Sequence, residues 1–287
     1  MTTGRNKFVV LLLALTLIFS FALIGCGDDA DADKGTINGD ADTAEPVTLV
    51  VGATPVPHAE ILEFVGEKLR EEGIEIEVTV YTDFVLPNMA LDAGEIDANF
   101  FQHLPYLESF GEENGTDLTP ITGIHFEPLG LYPGQSDDLD NIPNGAQIAI
   151  PSDPTNGARA LNLLESAGII TLDPGAGLLA TSRDITGNPH NVEIVEAEAP
   201  QLPRTLPDVD FAVINGNVAL QAGIDFDTVL ITEDRESEAA LTYTNLLVAQ
   251  TERADDPAIL RLAEVLNSEE VRNFILEQYE GRVVPTF

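Results

Sequence analysis

The stretch "VTLVVGATPVPHAEILEFVGEKLREEGIEIEVTVY" (Val47–Tyr81) decides the fold class. Its first seven residues, Val47–Ala53, form an apolar β-branched run that reads as a strand. Apolar residues then recur at Ile61, Leu62, Val65 and Leu69, and Gly73 ends the pattern, so an amphipathic helix follows. From Ile74 to Tyr81 apolar and polar residues alternate with period two, the signature of a half-buried strand. The same grammar continues outward. Pro87 opens the short helix "PNMALDA", stopped by Gly94, and "EIDANFF" is the next strand. "AQIAI" (Ala146–Ile150) is a strand followed by the loop "PSDPTN" and the helix "GARALNLLESAG". "NVEIVEA" and "VDFAVI" are two more strands, with a helix over "NGNVALQAG" before "TVLITE". "LTYTNLLVAQ" reads as a strand, and "PAILRLAEVLNSEEVRNFILEQYEG" as one long helix broken near Asn267. Strands alternating with helices predict an α/β protein with a largely parallel sheet covered on both faces.

Charge and cysteine content exclude several functions. The 287 residues carry 13 Lys+Arg against 49 Asp+Glu, a net charge of -36. Nucleic acid is not a partner, because binding it requires a basic surface that neutralises phosphates. Such acidity favours solubility and suits a saline habitat. The single cysteine, Cys26, rules out a disulfide framework and a multi-cysteine metal cluster. Arg5 and Lys7 precede an apolar run from Phe8 to Ile24, closed by "LIGC" (Leu23–Cys26). A basic start, an apolar middle and a small residue before a cleavage point make residues 1–25 a secretory signal, with a transmembrane anchor as the alternative. "LIGC" resembles a lipobox, in which Cys26 is acylated and holds the chain to the membrane. Residues 26–46 carry seven acids and one lysine with almost nothing apolar, and read as a flexible tether. Without residues 1–45 the chain still has a net charge of -32, so the acidity belongs to the domain itself.

Ligands of open α/β sheets lie beyond the carboxyl ends of the strands. His58 follows the first strand, Phe84 the second, and Phe101, His103 and Tyr106 the third, in "NFFQHLPYL" (Asn99–Leu107). Arg159 follows "AQIAI" and Asn215 follows "VDFAVI". Arg159 falls in the first turn of its helix, with Asn156 or Thr155 as the cap. A cation there opposes the helix dipole, so it either pairs with Asp153 or water, or it grips an outside carboxylate with two parallel bonds. Phe84, Phe101 and Tyr106 are either core or the walls of a flat slot suited to a thioether. Asn215 and Asn245 either turn the chain or serve an amino-acid head group. His58, His103 and His125 fall in one half of the chain, but no HxH or HExxH spacing supports a metal site, and none is expected. No GxSxG frame, Cys-His pair or phosphate loop supports catalysis, and no cofactor is expected.

Taken together, "TPVPHAEIL", "DFVLPNMAL", "GEIDANFFQHLPYL", "EPLGLY", "IPSDPTNGARAL" and "EAPQLPRTLPDVDFAVINGN" resemble the NlpA/MetQ family of methionine-binding lipoproteins. The resemblance runs in order along nearly the whole mature domain. It implies a two-lobed periplasmic-binding-protein fold of type II-like design, each lobe a mixed sheet flanked by helices, with the ligand cleft between them. Lobe 1 is expected over residues 47–130 and 241–287, and lobe 2 over residues 131–240. It further implies a receptor that passes L-methionine or an analogue to an ABC importer, built from a MetI-like permease and a MetN-like ATPase. Phe84 and Phe101 would sandwich the ligand side chain, with His103 and Tyr106 beside them. Arg159 would hold the carboxylate, and Asn215, or Asn217 in the departing "NGN" motif, would serve the head group with Asn245. Family members often carry tyrosine where this chain has Phe84. The rival readings are a divalent-metal-binding lipoprotein of an importer and a surface lipoprotein that acts only through protein contacts.

Overall fold

The computed structural model describes residues 46–236 and 238–287. The signal segment, Cys26 and the tether up to residue 45 lie outside the described residues. Among the described residues no helix is long and apolar enough to cross a membrane. The chain opens with strand β1 (Val47–Ala53), a helical turn over Pro55–Ala59, helix α1 (Glu60–Glu71) and strand β2 (Ile74–Val80). Helix α2 (Leu86–Asp92), strand β3 (Ala98–His103), helix α3 (Leu104–Asn114) and strand β4 (Leu118–Phe126) complete the first pass. Next come β5 (Gly130–Pro133), β6 (Gln147–Pro151), α4 (Pro154–Ser166) and the hairpin of β7 (Thr171–Leu172) and β8 (Ile185–Gly187). Strand β9 (Glu193–Ala197), helix α5 (Leu202–Thr205), strand β10 (Phe211–Ile214), helix α6 (Gly216–Gln221) and strand β11 (Ile231–Thr232) follow. After α7 (Glu238–Thr242) the chain ends with β12 (Asn245–Gln250), α8 (Pro257–Leu266), α9 (Glu269–Tyr279) and β13 (Val284–Pro285).

Two large sheets result. The first has the order β13-β4-β12-β3-β1-β2 and the second β11-β5-β10-β6-β9. Neither is largely parallel, which corrects the expectation drawn from alternation alone. β1 runs parallel to β2 and β3, but β12 runs antiparallel to β3 and β4. In the second sheet β6 is parallel to β9 and β10, while β5 is antiparallel to β10. The cause is the route of the chain. Apart from the two-residue β13, which lies antiparallel to β4, strands reached through a helix on the same lobe run toward the cleft, as in a strand-helix-strand unit. β5 and β12 are reached by crossing from the other lobe, so they start at the cleft edge and run away from it. The crossings are Glu127–Leu129 and the segment between β11 and β12. The strand expected from Leu241 begins only at Asn245, because Leu241 and Thr242 close α7 and the Thr244 hydroxyl donates back to the Ala240 carbonyl. The long C-terminal helix is two helices, with Ser268 capping α9 through the Val271 amide.

Each lobe has its own core. Ile61, Leu62, Val65 and Leu69 of α1 are all buried, packed with Ile259, Leu262 and Leu266 of α8 over the first sheet. In the second lobe Leu161 and Leu164 of α4 pack with Ile148, Ile150, Phe211 and Val213. Each such side chain contributes about 1.5–3 kcal/mol, so each lobe is held by its own core. Close backbone approach also shapes the second lobe. A Cβ at Gly134 would lie 2.6 Å from the Leu206 carbonyl oxygen and also meet that of Val209. Gly134→Ala is therefore expected to destabilise the protein by about 1–3 kcal/mol, read as a lower denaturation midpoint with an unchanged slope. An unchanged midpoint would contradict this packing.

Candidate functional site

The cleft edge gathers side chains from strand ends that lie far apart in sequence. β3 delivers Phe101, Gln102 and His103, and its antiparallel neighbour β12 starts with Asn245 directly opposite His103. Phe84 comes from the bend before α2, Tyr106 from the first turn of α3, and Asn215 and Asn217 from the start of α6. These residues line one narrow cavity, about 20 Å³ in this closed arrangement, together with Glu127 and Asn156. Six of the expected residues thus meet: Phe84, Phe101, His103, Tyr106, Asn215 and Asn245. Gln102, Glu127, Asn156 and Asn217 join them.

The aromatic end is a slot. The rings of Phe84 and Phe101 lie 6.0 Å apart and 32° from parallel, and Tyr106 stands edge-on to both. The Tyr106 hydroxyl donates to the Phe84 carbonyl at 2.9 Å, which ties the loop to the helix. A wider outer chamber shares Phe84 and Tyr106 and carries Asp83, Glu113, Asp153 and Glu198 on its walls. Burial, followed by the fields of these four carboxylates, pushes the Tyr106 phenol well above its ordinary range. The approach is thus hostile to anions.

The opposite end is lined by amides. Asp153 caps α4 by accepting from the Asn156 amide, in place of the expected Asn156 or Thr155. The Asn156 side chain also donates its Nδ2 to Asp153, which turns its Oδ1 to accept from Asn215 Nδ2 at 2.8 Å and places it 3.2 Å from His103 Nε2. Asn215 Oδ1 is buried and has no hydrogen-bond partner among the described residues. That atom is an acceptor awaiting a donor. Asn245 Oδ1 lies 3.0 Å from His58 Nε2. Glu127 Oε2 accepts from the Asn217 backbone amide at 2.9 Å. This approach needs Gly216, where a Cβ would sit 2.8 Å from the Glu127 Cβ.

Arg159 does not line this cavity. With Pro154 as the first helical residue, Arg159 falls in the second turn of α4, not the first, so the helix-end argument for it lapses. Its guanidinium donates through Nε and Nη2 to the two carboxylate oxygens of Glu233 and through Nη2 to the Glu127 carbonyl. It also lies 4.3 Å from the Tyr243 ring centroid. The pair is buried, with side chains 5% and 9% exposed. Glu233 also accepts from the Leu129 amide, so the pair knots α4 to both chain crossings.

The histidines divide between two places. His103 caps α3 and faces the cavity, and burial followed by the nearby Arg159 charge lowers it to about 3. His58 and His125 lie behind the cavity around Glu127, with His125 Nε2 2.7 Å from Glu127 Oε1. Burial lowers His58 to about 4 and His125 to about 3, and it raises Glu127. All three rings are therefore neutral at pH 7. Glu127 opens the "EPLGLY" stretch, but the sequence reading assigns it no role; only the crossing brings it here.

The sequence profile of the NlpA lipoprotein family matches residues 49–287. The D-methionine-binding lipoprotein MetQ of Salmonella typhimurium is 37% identical over 283 residues, 97% of this chain and 98% of that protein. The crystal structure of a lipoprotein from Ruminococcus gnavus is 48% identical with a TM-score of 0.83, covering 85% of this chain and all of that one. A nutrient binding protein from Burkholderia cenocepacia, solved bound to methionine, is 38% identical with a TM-score of 0.79, covering 83% of this chain and 100% of that one.

Two outcomes follow for these buried groups. Arg159→Ala strands the Glu233 carboxylate, and a loss of about 3–5 kcal/mol of stability is expected in chemical denaturation; a loss below about 1 kcal/mol would show the pair to be dispensable. A histidine with a lowered folded value adds stability that is full above about pH 6.5 and lost as pH falls toward that folded value. The wild-type decline between pH 6.5 and 4 is thus expected to be shallower in His103→Asn, and parallel curves would exclude His103 as a contributor.

Proposed function

The chain belongs to the NlpA lipoprotein family, and from that premise we propose that it is an extracytoplasmic receptor, lipid-anchored through Cys26, that closes its two lobes on methionine or a close analogue. It delivers this ligand to an ABC importer made of a MetI-like permease and a MetN-like ATPase. It performs no chemistry on the ligand. The observation that carries the reading is the cavity itself, with an aromatic slot at one end and an unsatisfied amide oxygen beside a buried carboxylate at the other. The methionine bound in the Burkholderia relative supports the ligand assignment.

The ligand's ammonium goes to Asn215 Oδ1 and Glu127, and its carboxylate to the amide donors of Asn217 and Asn245. Arg159 supports the wall and contributes its field without touching the ligand in this conformation. The thioether lies between Phe84 and Phe101, where sulfur–aromatic contact adds about 0.3–1.5 kcal/mol. Carbon contacts are optimal at about 3.5–4.0 Å on each face, so the rings must part by about 1–2 Å to admit the chain. Both rings belong to lobe 1, but Phe84 also packs against the second lobe's core; lobe opening releases its loop to shift, and closure expels water and strengthens the polar contacts. His103 and Tyr106 hold the slot's rim. The tether keeps the receptor near its permease at high effective concentration.

A thermal-shift panel of amino acids and divalent metals on the full-length protein in detergent tests the reading. Methionine at a hundredfold excess over its Kd is expected to add about 2.7 kcal/mol, a rise of several degrees. A metal-delivery protein would answer to metal without answering to methionine, and a lipoprotein acting by protein contact would answer to no amino acid. Phe84→Ala removes one face of the slot but spares the Tyr106 hydrogen bond, which is made to the backbone. Methionine affinity is expected to fall about tenfold by calorimetry. Unchanged affinity would remove Phe84 from the site.

A further inference from the structure

Behind the amide end, three side chains aim their ligating atoms at one point. His58 Nε2 lies 3.4 Å from Glu127 Oε1, and His125 Nε2 lies 2.7 Å from the same oxygen. All three ligating atoms fall within 4.8 Å of one another, and all three residues are buried. His58 is oriented from behind, with its Nδ1 2.7 Å from the Thr54 hydroxyl. This is the arrangement in which an outer partner fixes a ring and presents its other nitrogen to a metal. We propose that His58, His125 and Glu127 form a second, inner site for a divalent transition-metal ion, zinc foremost, with the Asn245 carbonyl at its open side.

The distances come within a side-chain adjustment of what the ion needs. Tetrahedral zinc with bonds of about 2.0–2.1 Å holds its ligand atoms about 3.4 Å apart. The His58–Glu127 separation already has that value, the His125–Glu127 separation must widen by about 0.7 Å, and the two histidines, within 4.8 Å of each other, must draw together by up to about 1.4 Å. Two imidazoles and one carboxylate select zinc or cobalt over calcium or magnesium, which prefer all-oxygen shells. On binding, each ring carries its proton on Nδ1, and at His58 that proton is donated to the Thr54 oxygen. The route in is the ligand cavity, since Glu127 and Asn245 line it while the histidines do not. Zinc would take those two groups from the amino-acid head group, so the two ligands oppose each other. That last consequence rests on the methionine reading; the metal site does not.

The test uses chelator-washed full-length protein in detergent, with excess Mg²⁺ to occupy the many surface carboxylates. One equivalent of Co²⁺ is expected to give the strong visible absorption of a low-coordinate, nitrogen-bearing site, and Zn²⁺ to displace it. His58→Asn and His125→Asn should each weaken binding by tenfold or more, on the order expected for a lost ligand. Because both histidines are core residues, Asn245→Asp is the second variant: its added charge should tighten zinc about tenfold. Saturating zinc should raise the apparent Kd for methionine about tenfold. A pale six-coordinate cobalt spectrum, or affinities unchanged in folded variants, would overturn the site. Zinc binding in a protein that ignores methionine would instead overturn the receptor reading and leave the site standing.

Discussion

A carboxylate buried where the chain first passes between the lobes is the constraint on which the rest depends. Glu127 ends the first lobe's contribution to the cleft, faces His58 and His125 of that lobe, and accepts the Asn217 amide of the other. Its own carbonyl accepts from Arg159. A charge in that position is costly unless its surroundings answer it, and burial does raise its pKa. The answer is assembled from both lobes, so any change in their relation alters the environment of this one group. Gly216 is forced by the same approach, since no side chain fits between α6 and Glu127.

Around that node the acidic chain builds an interior whose charges are largely matched. Arg159 and Glu233 pair, the imidazoles are neutral, and amides line most of the cavity's inner end. The outer chamber, by contrast, is walled by carboxylates from both lobes. An anion meets repulsion before it meets the amides, whereas a zwitterion carries no net charge past them. The apolar slot suits a flat or polarizable side chain, which two rings reward.

Much of this was legible in the residues. The apolar periodicity of Val47–Tyr81 marks β1, α1 and β2 correctly, because each segment's own pattern matches the face it buries. "NFFQHLPYL" stood out by position, since it follows a strand where ligands collect, although Phe100 and Leu107 within it belong to the core. Less legible was strand direction. Alternation suggested a largely parallel sheet, yet β5 and β12 run the other way because the chain enters them from the opposite lobe. Leu241 and Thr242 read as strand and fold as helix, their local preference overridden by the packing of the return crossing.

By itself the sequence determined the α/β grammar, the acidic character, the family and the residues of the aromatic slot, because these follow from local pattern or contiguous motif. Only the tertiary structure decided that Arg159 faces Glu233 and not the cavity, that Asn156, held by Asp153, accepts from Asn215, and that Glu127 gathers two histidines. Each of those outcomes joins residues tens of positions apart. A hydrogen bond or ion pair is set by distance in space, and distance along the chain carries no record of it.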